Sequence, residues 1–114
     1  MLNKNNRLKK RGDFDRVFKR GRKFKEDFLS LRAIKNNFQK SRFGFIVSQK
    51  VSKKAVLRNK IKRRLRTIVE TKMPKIKEGL DIVLIANPGL EKKDFWELEE
   101  IIDNIFKRSG LFFH

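Results

Sequence analysis

Residues 54–72 read KAVLRNKIKRRLRTIVETK, and two patterns run through them at once. Leu57, Ile61, Leu65, Ile68 and Val69 recur at helical spacing and form a single apolar stripe, so one long helix with one buried face is expected. Pro74 lies just beyond, where a helix stop belongs. The rest of the arc is cationic. Arg58, Lys62 and Arg66 stand at i, i+4 and i+8 and line one flank, Asn59 and Arg63 share the outermost face, and Lys60 and Arg64 complete the arc. Like charges four residues apart repel along a helix, and no acid between residues 50 and 69 relieves them. Ordinary surface helices mix signs; an unrelieved cationic arc points to an external polyanion. Arg suits forked phosphate contacts and Lys point-charge ones. Lys50, Lys53 and Lys54 continue the patch upstream. Asn59, which both donates and accepts, suits a base edge, a ribose or a hydrated metal.

Working outward, two segments before this helix alternate with period two. Leu29, Leu31 and Ala33 share one face, with Ser30 and Arg32 on the other; Phe43, Phe45 and Val47 alternate with Gly44, Ile46 and Ser48. Residues 35–41, with Asn36-Asn37, form a polar turn region, and the two strands are expected to pair as an antiparallel hairpin. A short strand around residues 22–25 precedes them. Upstream, Gly12 to Arg20 reads as a helix with Phe14, Val17 and Phe18 at i, i+3, i+4, and Gly21 is expected to end it in the left-handed conformation. Residues 1–10 read as a basic arm, flexible or docked, with Leu8 its only strong apolar anchor. Downstream, the apolar run Leu80–Ala86 reads as a central strand, and Asn87-Pro88-Gly89 as a turn. Asp94 and Glu97 form a capping box for a last helix whose apolar face is Phe95, Leu98, Ile101, Ile102, Ile105 and Phe106, closed by Gly110. The order αβββαβα defines an α/β (α+β) fold, a single-domain two-layer sandwich over residues 1–114, one sheet with helices packed mainly on one face.

Charge is concentrated in the same part of the chain. Of 114 residues, 31 are Lys or Arg and 13 are Asp or Glu, for a net charge of +18. Residues 1–69 hold 24 cations and 4 anions; residues 70–114 hold 7 and 9. Counterion release from nucleic acid rewards such a concentrated patch. With no cysteine, and His114 the only histidine, disulfides, thiol catalysis, cysteine-based zinc sites and a histidine base within the fold are excluded. No apolar run reaches membrane-span length, so a soluble, cytoplasmic protein is expected. A membrane-surface binder would need large apolar side chains exposed on an amphipathic helix, whereas the stripe at 57–69 suits a core. Phe14 and Phe18 have two readings. Spacing alone favours core, but the cations around them also suit a stacking surface for unpaired bases. Asp13, Asp15, Glu26 and Asp27 show no ligand spacing, and Asp81 in its apolar strand reads as structural. No catalytic residue is expected in the protein itself, and no metal ligand can be assigned.

Arg58-Asn59-Lys60-Ile61-Lys62-Arg63-Arg64-Leu65-Arg66, preceded by Val47-Ser48-Gln49-Lys50-Val51, resembles the signature of the bacterial ribonuclease P protein subunit. Asn6-Arg7-Leu8-Lys9-Lys10 is similar to that family's N-terminal arm, Asp13-Phe14 with Val17-Phe18 to its first helix, Arg42-Phe43-Gly44 to a strand start, and Asp81–Ala86 followed by Pro88 to its last strand. The resemblance implies a ribonucleoprotein endoribonuclease in which the protein binds ribonuclease P RNA and helps remove the 5′ leader of precursor tRNA. Magnesium is then held mainly by the RNA, and neither membrane nor DNA is an expected partner. It implies that Phe14, Phe18, Arg32, Ile46 and Ser48 line a cleft for the single-stranded leader. Lys50, Lys53, Lys54, Arg58, Asn59, Lys60, Lys62, Arg63 and Arg66 would face the catalytic RNA. It also implies a left-handed crossover through the basic helix, against the usual right-handed rule. Two positions depart from the family pattern. Lys60 replaces an Arg, and Arg32 stands where a cleft aromatic is common, which favours phosphate contact over stacking. The alternative function is a general structural RNA-binding protein, such as a small ribosomal protein, which would share the charge but not the leader cleft.

Overall fold

The apolar run Leu80–Ala86 decides the topology. In the computed structural model, which describes residues 3–112, the chain runs α1 (Arg11–Arg20), β1 (Arg22–Glu26), β2 (Leu29–Lys35), β3 (Arg42–Val47), α2 (Ala55–Lys72), β4 (Leu80–Ala86) and α3 (Phe95–Arg108). The strands form one sheet in the order β1-β2-β4-β3. β4 pairs antiparallel with β2 and parallel with β3, while β1 and β2 form the antiparallel hairpin. The expected element order and single sheet are present. The expected pairing of β2 with β3 is not, because β4 lies between them. Ile82, Val83 and Leu84 are all fully buried, and a strand apolar on both faces belongs in the middle of a sheet. β3 thus becomes an edge, joined to its parallel neighbour through α2.

Side-chain alternation divides the core in two. Leu29, Leu31, Phe43, Val47, Ile82, Leu84 and Ala86 meet Ile61, Leu65, Ile68 and Val69 of α2 and the buried stripe of α3. On the other face Val83, Ile34, Ile46 and Ile85 meet Phe14, Val17 and Phe18 of α1, with Leu8 of the arm. Two helices therefore cover one face, as expected, and α1 crosses the other. The arm is docked: Leu8 is buried and its N–H donates to the Phe43 carbonyl at 2.9 Å. Met1, Leu2 and His114 lie outside the described residues. Lys72 reaches Asp103 at 2.7 Å and ties α2 to α3. The capping box of α3 forms in both directions, Glu97 N–H to Asp94 Oδ1 at 2.8 Å and Asp94 N–H to Glu97 Oε1 at 3.1 Å.

Two expectations change in detail. The buried stripe of α2 starts at Ile61, and Leu57 in the first turn is 41% exposed. Gly21 does end α1, but in extended backbone (φ −72°, ψ 149°) rather than left-handed. Its need for glycine is steric: a Cβ there would lie 2.4 Å from the Val17 carbonyl oxygen and 3.3 Å from that of Ala33. Both obstacles are backbone, so Gly21→Ala is expected to destabilise the fold by about 1–3 kcal/mol, read as a lower urea midpoint.

Candidate nucleic-acid interface

Strand register lays three rows across the face that α1 crosses. They run Ile34–Asp81–Arg42, then Lys23–Arg32–Val83–Gly44, then Lys25–Ser30–Ile85–Ile46. Each row does something different.

The first row anchors α1. Asp81 is fully buried and accepts four hydrogen bonds: from Arg42 Nε (2.8 Å) and Nη2 (2.7 Å), from Asn36 Nδ2 (2.8 Å) and from Arg16 Nη2. Arg42 also approaches Asp13 at 3.4 Å. One carboxylate thus joins α1, β3, β4 and the 36–41 loop, which satisfies the requirement that a buried charge be paired and hydrogen-bonded. The bond from Asp81 outweighs burial and raises the Arg42 pKa above its already high ordinary value, so this guanidinium stays charged. Asp81 is structural, as expected; its partners, 39 to 65 residues away, were invisible in the sequence.

The second row carries the aromatics. A Cβ on Gly44 would fall 2.4 Å from Phe14 Cε1, so the Phe14 ring lies directly on the glycine backbone. The Arg32 guanidinium stacks over Phe18 at 5.1 Å from the ring centroid and donates to the Phe18 carbonyl at 2.6 Å. Both rings pack against the second core, and each keeps part of its surface exposed.

The third row forms a floor. Lys25, Ser30, Ile85 and Ile46 lie one step beyond the aromatics; Asn87 Nδ2 donates to Ser30 Oγ at 2.9 Å, and Ser48 is exposed at the end of β3. A cavity of about 430 Å³ opens over Lys23, Lys25, Ser30, Arg32, Ile85 and Asn87. Phe14, Phe18, Arg32 and Ile46 therefore share one face, Ser48 follows just past the end of β3, and the structure adds Lys23, Lys25, Ile85 and Asn87.

β3 ends at Val47, and the chain runs on through Ser48 into the basic patch. Val51 is buried and pins the loop, Ser48 Oγ accepts from Lys50 N–H at 3.3 Å, and Arg58 Nη1 donates to the Ser52 carbonyl at 2.9 Å. Lys50, Lys53 and Lys54 are left exposed, as are Asn59, Lys60 and Arg63. Arg58, Lys62 and Arg66 form the half-buried flank, with Arg66 over the Phe45 ring at 6.0 Å. The first turn of α2 has no acid and no side-chain cap. Its helix dipole and its lysines thus concentrate positive potential at the N-terminal end of α2.

Relatedness agrees with this geometry. Residues 2–110 match the family model described as Ribonuclease P. The chain belongs to the ribonuclease P protein family. It is similar to the ribonuclease P protein component of Syntrophomonas wolfei, 38% identical over 112 residues, covering 98% of this chain and 93% of that protein. Against that of Pseudanabaena it is 37% identical over 110 residues, covering 96% and 95%. Among solved structures, the ribonuclease P protein of Thermotoga maritima superposes with a TM-score of 0.82 at 36% identity, covering 90% of this chain and 96% of that one. The Staphylococcus aureus protein gives 0.88 at 28%, covering 95% and 98%. As a ribonuclease P protein the chain is a subunit of the ribonucleoprotein endoribonuclease of tRNA 5′ maturation, and its partner is RNA. Among the described residues no three Asp, Glu, His or Cys side chains stand together, and Asp13, Glu26 and Asp81 are engaged by arginines.

Proposed function

We propose that this subunit holds the single-stranded 5′ leader of precursor tRNA in the trough between α1 and the third row, while the 50–54 loop and α2 grip the catalytic RNA. The observation that carries the reading is the continuity of the two surfaces: β3 supplies the floor through Ile46, and the loop that follows it runs from Ser48 past the exposed Lys50, Lys53 and Lys54 into α2. A strand bound in the trough would stack against Phe14 and Phe18 and run its phosphates past Lys23, Lys25 and Arg32. It would leave the trough beside RNA bound to α2. In this reading the protein contributes positioning and electrostatics. Hydrolysis is carried by the RNA, which holds most of the magnesium, in the cytoplasm.

The test is 5′ processing of a precursor tRNA by the organism's catalytic RNA at low magnesium, with and without the protein. Stimulation is expected. Phe18→Ala should raise KM about tenfold for a precursor with a long leader, because one stacking surface is gone, and leave a precursor with a one-nucleotide leader unaffected. Absence of stimulation, with salt-sensitive RNA binding intact, would instead make this a general RNA-binding protein.

A further inference from the structure

Phe38 is the most exposed phenylalanine among the described residues, at 59%, and it is not loose. Its N–H is held by Asn36 Oδ1 at 2.8 Å, and Asn36 in turn donates to Asp81 and, at 3.2 Å, to the Lys40 carbonyl. The Arg42 guanidinium lies over the ring, 4.5 Å from its centroid, and is itself locked by two hydrogen bonds to Asp81. An exposed aromatic ring is thus mounted on a buried ion cluster, with one face covered by a fixed cation and the rest open. Beside it is a cavity of about 450 Å³ whose lining includes Lys4, Lys9, Lys10 and Lys40. Its only acid, Asp13, is turned to Arg42.

This place is separate from the leader trough. α1 lies between them: Asp13 and Arg16 project to the first row, while Phe14 and Phe18 project to the second. Apolar packing does not explain Phe38, because neither core cluster includes it. Fixed ring, surrounding lysines and a cavity in the usual range for ligand pockets together suit one chemistry, a flat base with a phosphate attached.

We propose that Phe38 is the stacking platform of a second nucleotide site, which takes an unpaired nucleotide of bound RNA on the side of α1 away from the trough. The base stacks on the open face of Phe38 and the flanking phosphates meet Lys9, Lys10 and Lys40. The nucleotide comes either from the catalytic RNA or from the precursor tRNA.

The test places a reporter at the ring. Phe38→Trp is made together with Trp96→Phe, which removes the only native indole from an exposed position, and the full-length protein is titrated separately with catalytic RNA and with precursor tRNA. Saturable quenching of the introduced indole by either RNA supports the site, and the RNA that quenches names the source. In the native background, Phe38→Ala and Phe38→Leu should both weaken binding of that RNA about tenfold at unchanged thermal stability. No quenching by either RNA, while fluorescence anisotropy shows that both bind, would overturn the proposal. So would full affinity for both RNAs in Phe38→Ala. Neither failure would touch the trough, which Phe18→Ala reports independently.

Discussion

Asp81→Ala is expected to lower the stability of this protein by about 3 kcal/mol, the low end of the range for breaking a buried ion pair from one side. The wild-type carboxylate is fully buried and holds Arg42, Arg16 and Asn36. Its removal leaves two guanidiniums facing each other across a cavity. Arg42 keeps 17% of its side-chain surface and Arg16 34%, so both recover some hydration, which is why the low end applies. For a domain of this size that amounts to a downward shift of about 1–2 M in the urea midpoint. Asp81→Asn, which keeps one acceptor oxygen and loses the charge, should fall between the two. The same variants bear on function. Arg16 ties α1 to the sheet end through Asp81, so a loosened cluster lets α1 shift and with it Phe14 and Phe18. Precursor affinity in the assembled enzyme should therefore fall in Asp81→Asn even at temperatures where the protein stays folded. A loss of stability below about 1 kcal/mol in Asp81→Ala would mean that the cluster breaks even against its desolvation.

That cluster also marks the limit of what the sequence reveals. Features carried by local spacing were legible: the stripe of α2 from Ile61, the capping box Asp94–Glu97, and the alternation that separates Leu29 and Leu31 from Ser30 and Arg32. So was the placing of Arg32, Gly44 and Ile46 on the sheet face away from Leu29 and Phe43; that Phe14 and Phe18 lie over that same face was implied only by the family resemblance, since their spacing alone favoured core. Three things were not. β4 is apolar throughout, so alternation could not say that Val83 and Ile85 face α1, nor that the strand inserts between β2 and β3. Lys23 and Lys25 join the floor only once β1 is known to pair with β2. Phe38 sits in a polar stretch with no periodicity, and only the hydrogen bonds of Asn36 and Arg42 show that its ring is fixed in place. Sequence reveals what a residue's own element does with it. What a second element does, through long-range pairing, needs the fold.

Lys60→Gln combined with Arg63→Gln separates binding from folding on α2 most cleanly. Both side chains are exposed, and neither makes an ion pair or a hydrogen bond among the described residues. Arg58 is a poorer choice, because it also clamps the Ser52 carbonyl and its loss would disturb the loop. Lys60 stands four residues before Arg64 and Arg63 one turn after Lys60, so removing the two charges relieves repulsion within the helix. Stability should stay the same or rise by about 0.2–0.5 kcal/mol. Affinity for the catalytic RNA should fall about ten- to a hundredfold near 0.1 M salt, and the slope of log affinity against log salt should become shallower by about 1.4 to 1.8, since each removed charge leaves one phosphate un-neutralised. Thermal melts and filter binding across a salt series measure the two quantities on the same samples. A solvated face predicts no change in the slope, and a purely structural role predicts a drop in stability. A helix that is stabilised while its RNA affinity collapses can only be one that carries its charge for a partner.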